Sequence, residues 1–101
     1  MAKTIHKKPY LLKSEAREKE RARILNMNAS EIMAGVPSGN SMRGQMREIL
    51  LQVKKHGGYS IFWVTDNSKR AGAATDLVDA GIIGEKSDAN YPWCSMRILK
   101  T

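Results

Sequence analysis

Cysteine is nearly missing from this 101-residue chain: Cys94 stands alone, so an internal disulfide is excluded. With His6 and His56 far from it in sequence, no metal-ligand spacing of the zinc type exists, and no cofactor is expected. Cys94 reads as a small half-buried strand residue, because no base stands near it in the sequence to make it a nucleophile. Aromatic residues are few (one Phe, three Tyr, two Trp), so Ile and Met must carry much of the core. Long apolar runs are absent as well. The longest, Ile49-Leu50-Leu51 and Ile61-Phe62-Trp63-Val64, fall far short of the roughly 20 residues that cross a bilayer. No apolar stretch of signal-peptide length follows the basic start, and a cytoplasmic address with no membrane contact is expected. Paired carboxylates, Ser/His/Asp or Cys/His groupings and a lysine-bearing phosphate loop are also lacking, so the expectation is a protein that is not an enzyme.

Positive charge is what the chain has in excess. Lys and Arg number 17 against 10 Asp and Glu, a formal net charge of +7. Residues 1–50 hold ten basic and five acidic residues, a balance of +5, whereas residues 51–101 hold seven and five, a balance of +2. An excess concentrated at one end is the pattern of a polyanion-binding arm and equally of a solubility device. Residues 1–13, with Lys7 and Lys8, show no helical or strand period and read as a flexible basic arm ahead of a single domain over 14–101.

Within that domain the spacing predicts an N-terminal helical extension over 14–39 and a core over 40–101. Ser14 is a plausible cap for a helix over 14–26, whose sparse apolar face predicts a mostly solvated surface or a homodimer contact. Asn28 and Glu31 have capping-box spacing ahead of a short helix over 29–35, which Gly35 and Pro37 end. Ser41 opens the next helix, where Met42, Met46, Ile49, Leu50 and Val53 make a core stripe up to His56-Gly57-Gly58. Residues 59–64 suit either a strand or a short buried helix. Thr65, Asp66 or Ser68 can cap a helix over 69–80, with Ala73, Ala74, Leu77 and Val78 facing inward and Gly81 ending it. Ile82–Lys86 and Trp93–Leu99 are strand-like and joined by a turn-rich segment, a closing hairpin. The fold class expected is therefore α+β and mostly helical.

This order, with Ala74-Thr75-Asp76-Leu77-Val78-Asp79-Ala80-Gly81-Ile82-Ile83-Gly84-Glu85-Lys86 at the handover from helix to hairpin, resembles a winged helix-turn-helix domain over about residues 40–100. Since only about ten residues separate Gly58 from Lys69, the resemblance implies a second helix that is shortened or replaced by a strand. Compact domains of this kind resemble small regulators encoded by bacterial viruses and mobile elements. The resemblance implies a DNA-binding transcriptional regulator that docks a helix and a β-wing on duplex DNA. Lys69 and Arg70 would stand at the helix start, with Lys86 and Arg97 on the wing and Lys7 and Lys8 on phosphates. Asn28 to Leu50 bears a second likeness to helix, turn and helix, in which Asn40, Ser41, Arg43, Gln45 and Arg47 have the chemistry to meet bases and phosphates. An alternative on the same scaffold is an inhibitor or adaptor that binds a host transcription or defence protein. Asp76 and Asp79, which would repel phosphate, and Tyr91 and Trp93 near the hairpin tip fit that alternative better.

Overall fold

A computed structural model describes residues 9–35, 39, 41–88 and 90–101, with side chains from residue 15 onward. Lys7, Lys8, Pro37 and Asn40 lie outside the described residues, as does most of the expected arm. The chain is α+β and mostly helical, in the order α1 (Pro9–Leu25), α2 (Ala29–Met33), α3 (Met42–His56), β1 (Gly58–Ser60), α4 (Ile61–Thr65), α5 (Ser68–Asp79), β2 (Ile83–Glu85) and β3 (Trp93–Ile98). No described helix is long and apolar enough to cross a membrane.

Helix α1 starts five residues before the expected cap at Ser14, so residues 9–13 belong to the helix and not to an arm. Pro9 fits this start, since its fixed φ suits a first turn and its missing N–H has no intrahelical partner there. The capping box ahead of α2 forms in full: Glu31 N–H donates to Asn28 Oδ1 at 2.8 Å and Asn28 N–H to Glu31 Oε1 at 3.0 Å. Ser41 caps α3 as its spacing predicts, accepting from Gly44 N–H at 2.9 Å. The cap of α5 is Asn67, which none of the three candidates named; its Oδ1 accepts from Lys69 and Arg70 N–H.

Residues 59–64 are both things that their composition allowed. Gly58–Ser60 is a strand, and Ser60 then caps the one-turn helix α4. The change of period comes at Ser60 because its hydroxyl accepts from Phe62 N–H, which a continuing strand would not permit. Between Gly58 and Lys69 the chain therefore carries the end of a strand and the five-residue helix α4.

The three strands form one antiparallel sheet in the order β1-β3-β2. The N-terminal half of β3 pairs with β1, Tyr59 opposite Cys94 and Ser60 opposite Trp93. Its C-terminal half pairs with β2, Ile83 opposite Ile98 and Glu85 opposite Met96. Gly58 is required at this junction, because a Cβ there would lie 2.1 Å from the Cys94 carbonyl oxygen. At the other end, Gly81 takes φ 72° after α5, and Ile82 N–H reaches back to Leu77 O while Gly81 N–H reaches Val78 O. That double bond ends the helix and delivers the fully buried Ile82 onto the equally buried Leu77.

Met46, Ile49, Leu50 and Val53 of α3 meet Ala73, Ala74 and Leu77 of α5 over Tyr59, Ile83 and Met96 of the sheet, and Ile24 and Ile32 close the core from the N-terminal side. Two residues of the expected interior depart from it. Val78 is 44% exposed, because the α5 stripe turns at Leu77, and Met42 is only half-buried at the first turn of α3.

Candidate functional site

Four arginines decide what the surface can offer, since each is tied to its own fold. Arg43 donates to the carbonyls of Glu31 at 2.7 Å, Ala34 at 2.9 Å and Ile32 at 3.2 Å. These carbonyls lie at the end of α2, where a cation is also favoured by the helix dipole. Arg47, one turn on, reaches Met33 O at 3.2 Å and lies 3.8 Å from Glu48. The pair clamps α2 onto α3, so side chains that resemble base readers serve as staples. Gln45, of the same group, is 6% exposed: its amide nitrogen donates to Gly39 O and its oxygen accepts from Arg70 Nε.

Arg70 lies 4.3 Å above the Trp63 ring and donates to Trp63 O at 2.7 Å. A guanidinium stacked on an indole and bonded twice is positioned for structure rather than for a base edge. Arg21 grips Asp76 with two parallel bonds of 2.9 and 2.6 Å, fastening α1 along one flank of α5. This removes one of the two carboxylates expected to repel phosphate, and leaves Asp79 exposed.

The remaining expected cations are scattered. Lys69, exposed at the start of α5, lines a groove with Arg17 and Arg21 of α1. Lys86 and Arg97, also exposed, line a separate open groove with Glu85, Ser87 and Asp88, where the signs are mixed. Neither Lys86 nor Arg97 makes a side-chain hydrogen bond or ion pair with a described residue. The outward face of α5, the row Ser68, Gly72, Thr75 and Asp79, carries no basic residue. The Thr75 hydroxyl on that row donates to Ala71 O of its own helix.

On the other flank of α5, facing the sheet, lies a cleft of about 300 Å³. Ala71, Ala74 and Val78 form one wall, Ile61 and Val64 of α4 a second, and Tyr59 and Cys94 the sheet side. Thr65, Thr75 and Asp79 complete its lining, with no lysine or arginine among the described residues that form it. Burial pushes the Tyr59 phenol up to about 12, with the Cys94 and Glu85 charges adding to it. Burial also raises the Cys94 thiol, again with Glu85 contributing, so Cys94 is a neutral wall residue.

An exposed aromatic group adjoins this cleft through Ile61, whose N–H donates to Pro92 O at 2.8 Å. Phe62, 61% exposed, meets Tyr91, 76% exposed, edge to face at 5.9 Å, and Trp93 is exposed beside them in sequence. The hairpin tip is thus held against α4. Tyr91 and Trp93 were legible as contact candidates, whereas Phe62, Ile61 and Val78 were not. Phe62 follows from the strand-to-helix switch at Ser60, which turns it outward, and no periodicity reports that switch ahead of a run of four apolar residues.

Among the described residues, no group of three His, Cys, Asp or Glu side chains is placed to hold a metal ion. No protein-family model, curated protein or solved structure matches the chain.

Proposed function

We propose that residues 42–98 form a winged helix-turn-helix domain whose cleft between α5 and the hairpin binds a protein partner, making the chain an adaptor or inhibitor. The domain reading is supported by the order helix, strand, short helix, helix, hairpin and by a sheet in the order β1-β3-β2. Fold alone does not carry function. The observation that does is the character of the surface between the helix and the wing. It is apolar, flanked by exposed Phe62, Val78 and Tyr91, and carries Asp79 with no basic residue among the described residues of its lining. A polyanion needs cations where this surface has hydrocarbon, whereas aromatic anchors beside an apolar hollow are what a protein contact uses.

A second reading, duplex DNA, is favoured by Lys69, Lys86 and Arg97, which stay exposed on a chain of net charge +7. The two readings separate in one experiment. A photo-crosslinking residue at position 62, 78 or 91, activated in cells before nuclease treatment, is expected to give nuclease-resistant protein adducts. The same residue at positions 68, 72 or 75 is expected to give few. Nucleic-acid adducts at 68, 72 and 75, with none to protein at 62, 78 and 91, would reverse the assignment.

A further inference from the structure

We infer that the cleft accepts a short protein segment presenting apolar side chains flanked by lysine or arginine. This rests on the protein-binding reading above and names the chemistry of the partner. The basis is a local reversal of charge. The chain as a whole carries +7, yet among the described residues that line the cleft the charged one is Asp79. Glu85 on β2 is close enough for its charge to act on both Tyr59 and Cys94, two wall residues, and Asp66 directly follows the lining residue Thr65.

Of the basic residues near these carboxylates, Arg21 is close enough to feel the Asp79 charge but is bonded to Asp76, and Lys86 and Arg97 share with Glu85 the separate groove outside the cleft. Arg70 is stacked on Trp63 and bonded to its carbonyl and to Gln45, and Lys69 lines the groove on the α1 flank. Asp76, which would have extended the acidic side, is already matched by Arg21. Asp79 is exposed and lines the cleft, so it acts as a rim charge that selects a partner and steers it, while Ile61, Val64 and Val78 take up its apolar side chains. The hollow of about 300 Å³ matches one or two such side chains and not a folded domain.

The test titrates the full chain, followed by amide NMR, with a short amphipathic peptide of leucine and lysine and with its counterpart carrying glutamate for lysine. The expected result is saturable shifts at Ile61, Val64, Ala71 and Val78 with the leucine–lysine peptide. Affinity for the glutamate peptide should be several-fold weaker, although the overall field of a +7 protein favours the acidic one. The double change Asp79→Lys and Glu85→Lys, at two exposed positions, is expected to reverse the preference. Equal or better binding of the glutamate peptide in the cleft of the unaltered chain would overturn the charge inference and leave protein docking standing. Absence of cleft shifts with both peptides would overturn the inference and count against protein docking as well.

Discussion

The two flanks of α5 are built from neighbouring residues of one helix and end up with opposite character. Towards α1, Asp76 is held by the two bonds from Arg21, and Lys69 and Gly72 line the groove between the helices. Towards the hairpin, Ala71, Ala74 and Val78 wall a cleft whose described lining residues include one charged side chain, Asp79. One flank has its polar groups answered from within the chain; the other leaves apolar surface unanswered. Unfilled surface is the more informative of the two, because folding alone gives no reason for Phe62, Val78 and Tyr91 to stand in water together.

The largest way to disturb both flanks at once is Leu77→Ala, since Leu77 is fully buried between them. A loss of about 2–4 kcal/mol is expected in denaturant unfolding, from lost burial and a residual cavity. Arg43→Ala comes next. Removing three charge-assisted bonds from the end of α2 is expected to cost about 1–3 kcal/mol, whereas Lys86→Ala should stay within about 0.5 kcal/mol. Equal effects at the two positions would mean that the arginine is not a staple.

Alkaline pH sharpens the description of the cleft wall. The Tyr59 phenol is raised to about 12 in the fold against an ordinary value of 10.0. Its contribution to stability is therefore complete below pH 10 and is lost as the pH rises towards 12, on the order of 2 kcal/mol in total. Unfolding measured across that window should show the fall in the natural chain and a flatter profile in Tyr59→Phe. On the exposed side of the same cleft, Val78→Asp should leave stability within about 0.5 kcal/mol while abolishing protein adducts formed from position 62. Smallest of all is Arg21→Ala. Global unfolding should hardly change, and amide exchange in α1 should quicken while α5 stays protected, because the guanidinium is 41% exposed and fastens a helix to the body without supporting the core.

Local chemistry was legible where one residue type dictates one geometry. The Asn28/Glu31 box, the Ser41 cap, the stripe Met46-Ile49-Leu50-Val53 and the Gly81 reversal were all readable, and with them the order helix, helix, hairpin on either side of the undecided residues 59–64. Legibility failed where a side chain's role depends on what lies across space. Arg43, Arg47, Gln45 and Arg70 carry base-reading chemistry, and only the fold reveals carbonyls and an indole already waiting for them. Val78 failed for a subtler reason. It sits next to Leu77 at the edge of the apolar stripe, and the hollow beside it comes from the turn at Ser60, far away in sequence.

Amide shift mapping with a short DNA duplex, taken from low to physiological salt, decides whether α5 meets DNA or leaves its surface to protein. Any shifts are expected to gather on exposed cations such as Lys54, Lys55 and Lys86 and to fade as salt rises, as counterion-driven contact does, leaving Ser68, Gly72, Thr75 and the cleft residues still. Saturable shifts at Ser68, Gly72 and Thr75 that persist at physiological salt would place α5 in a groove and contradict the protein-binding reading.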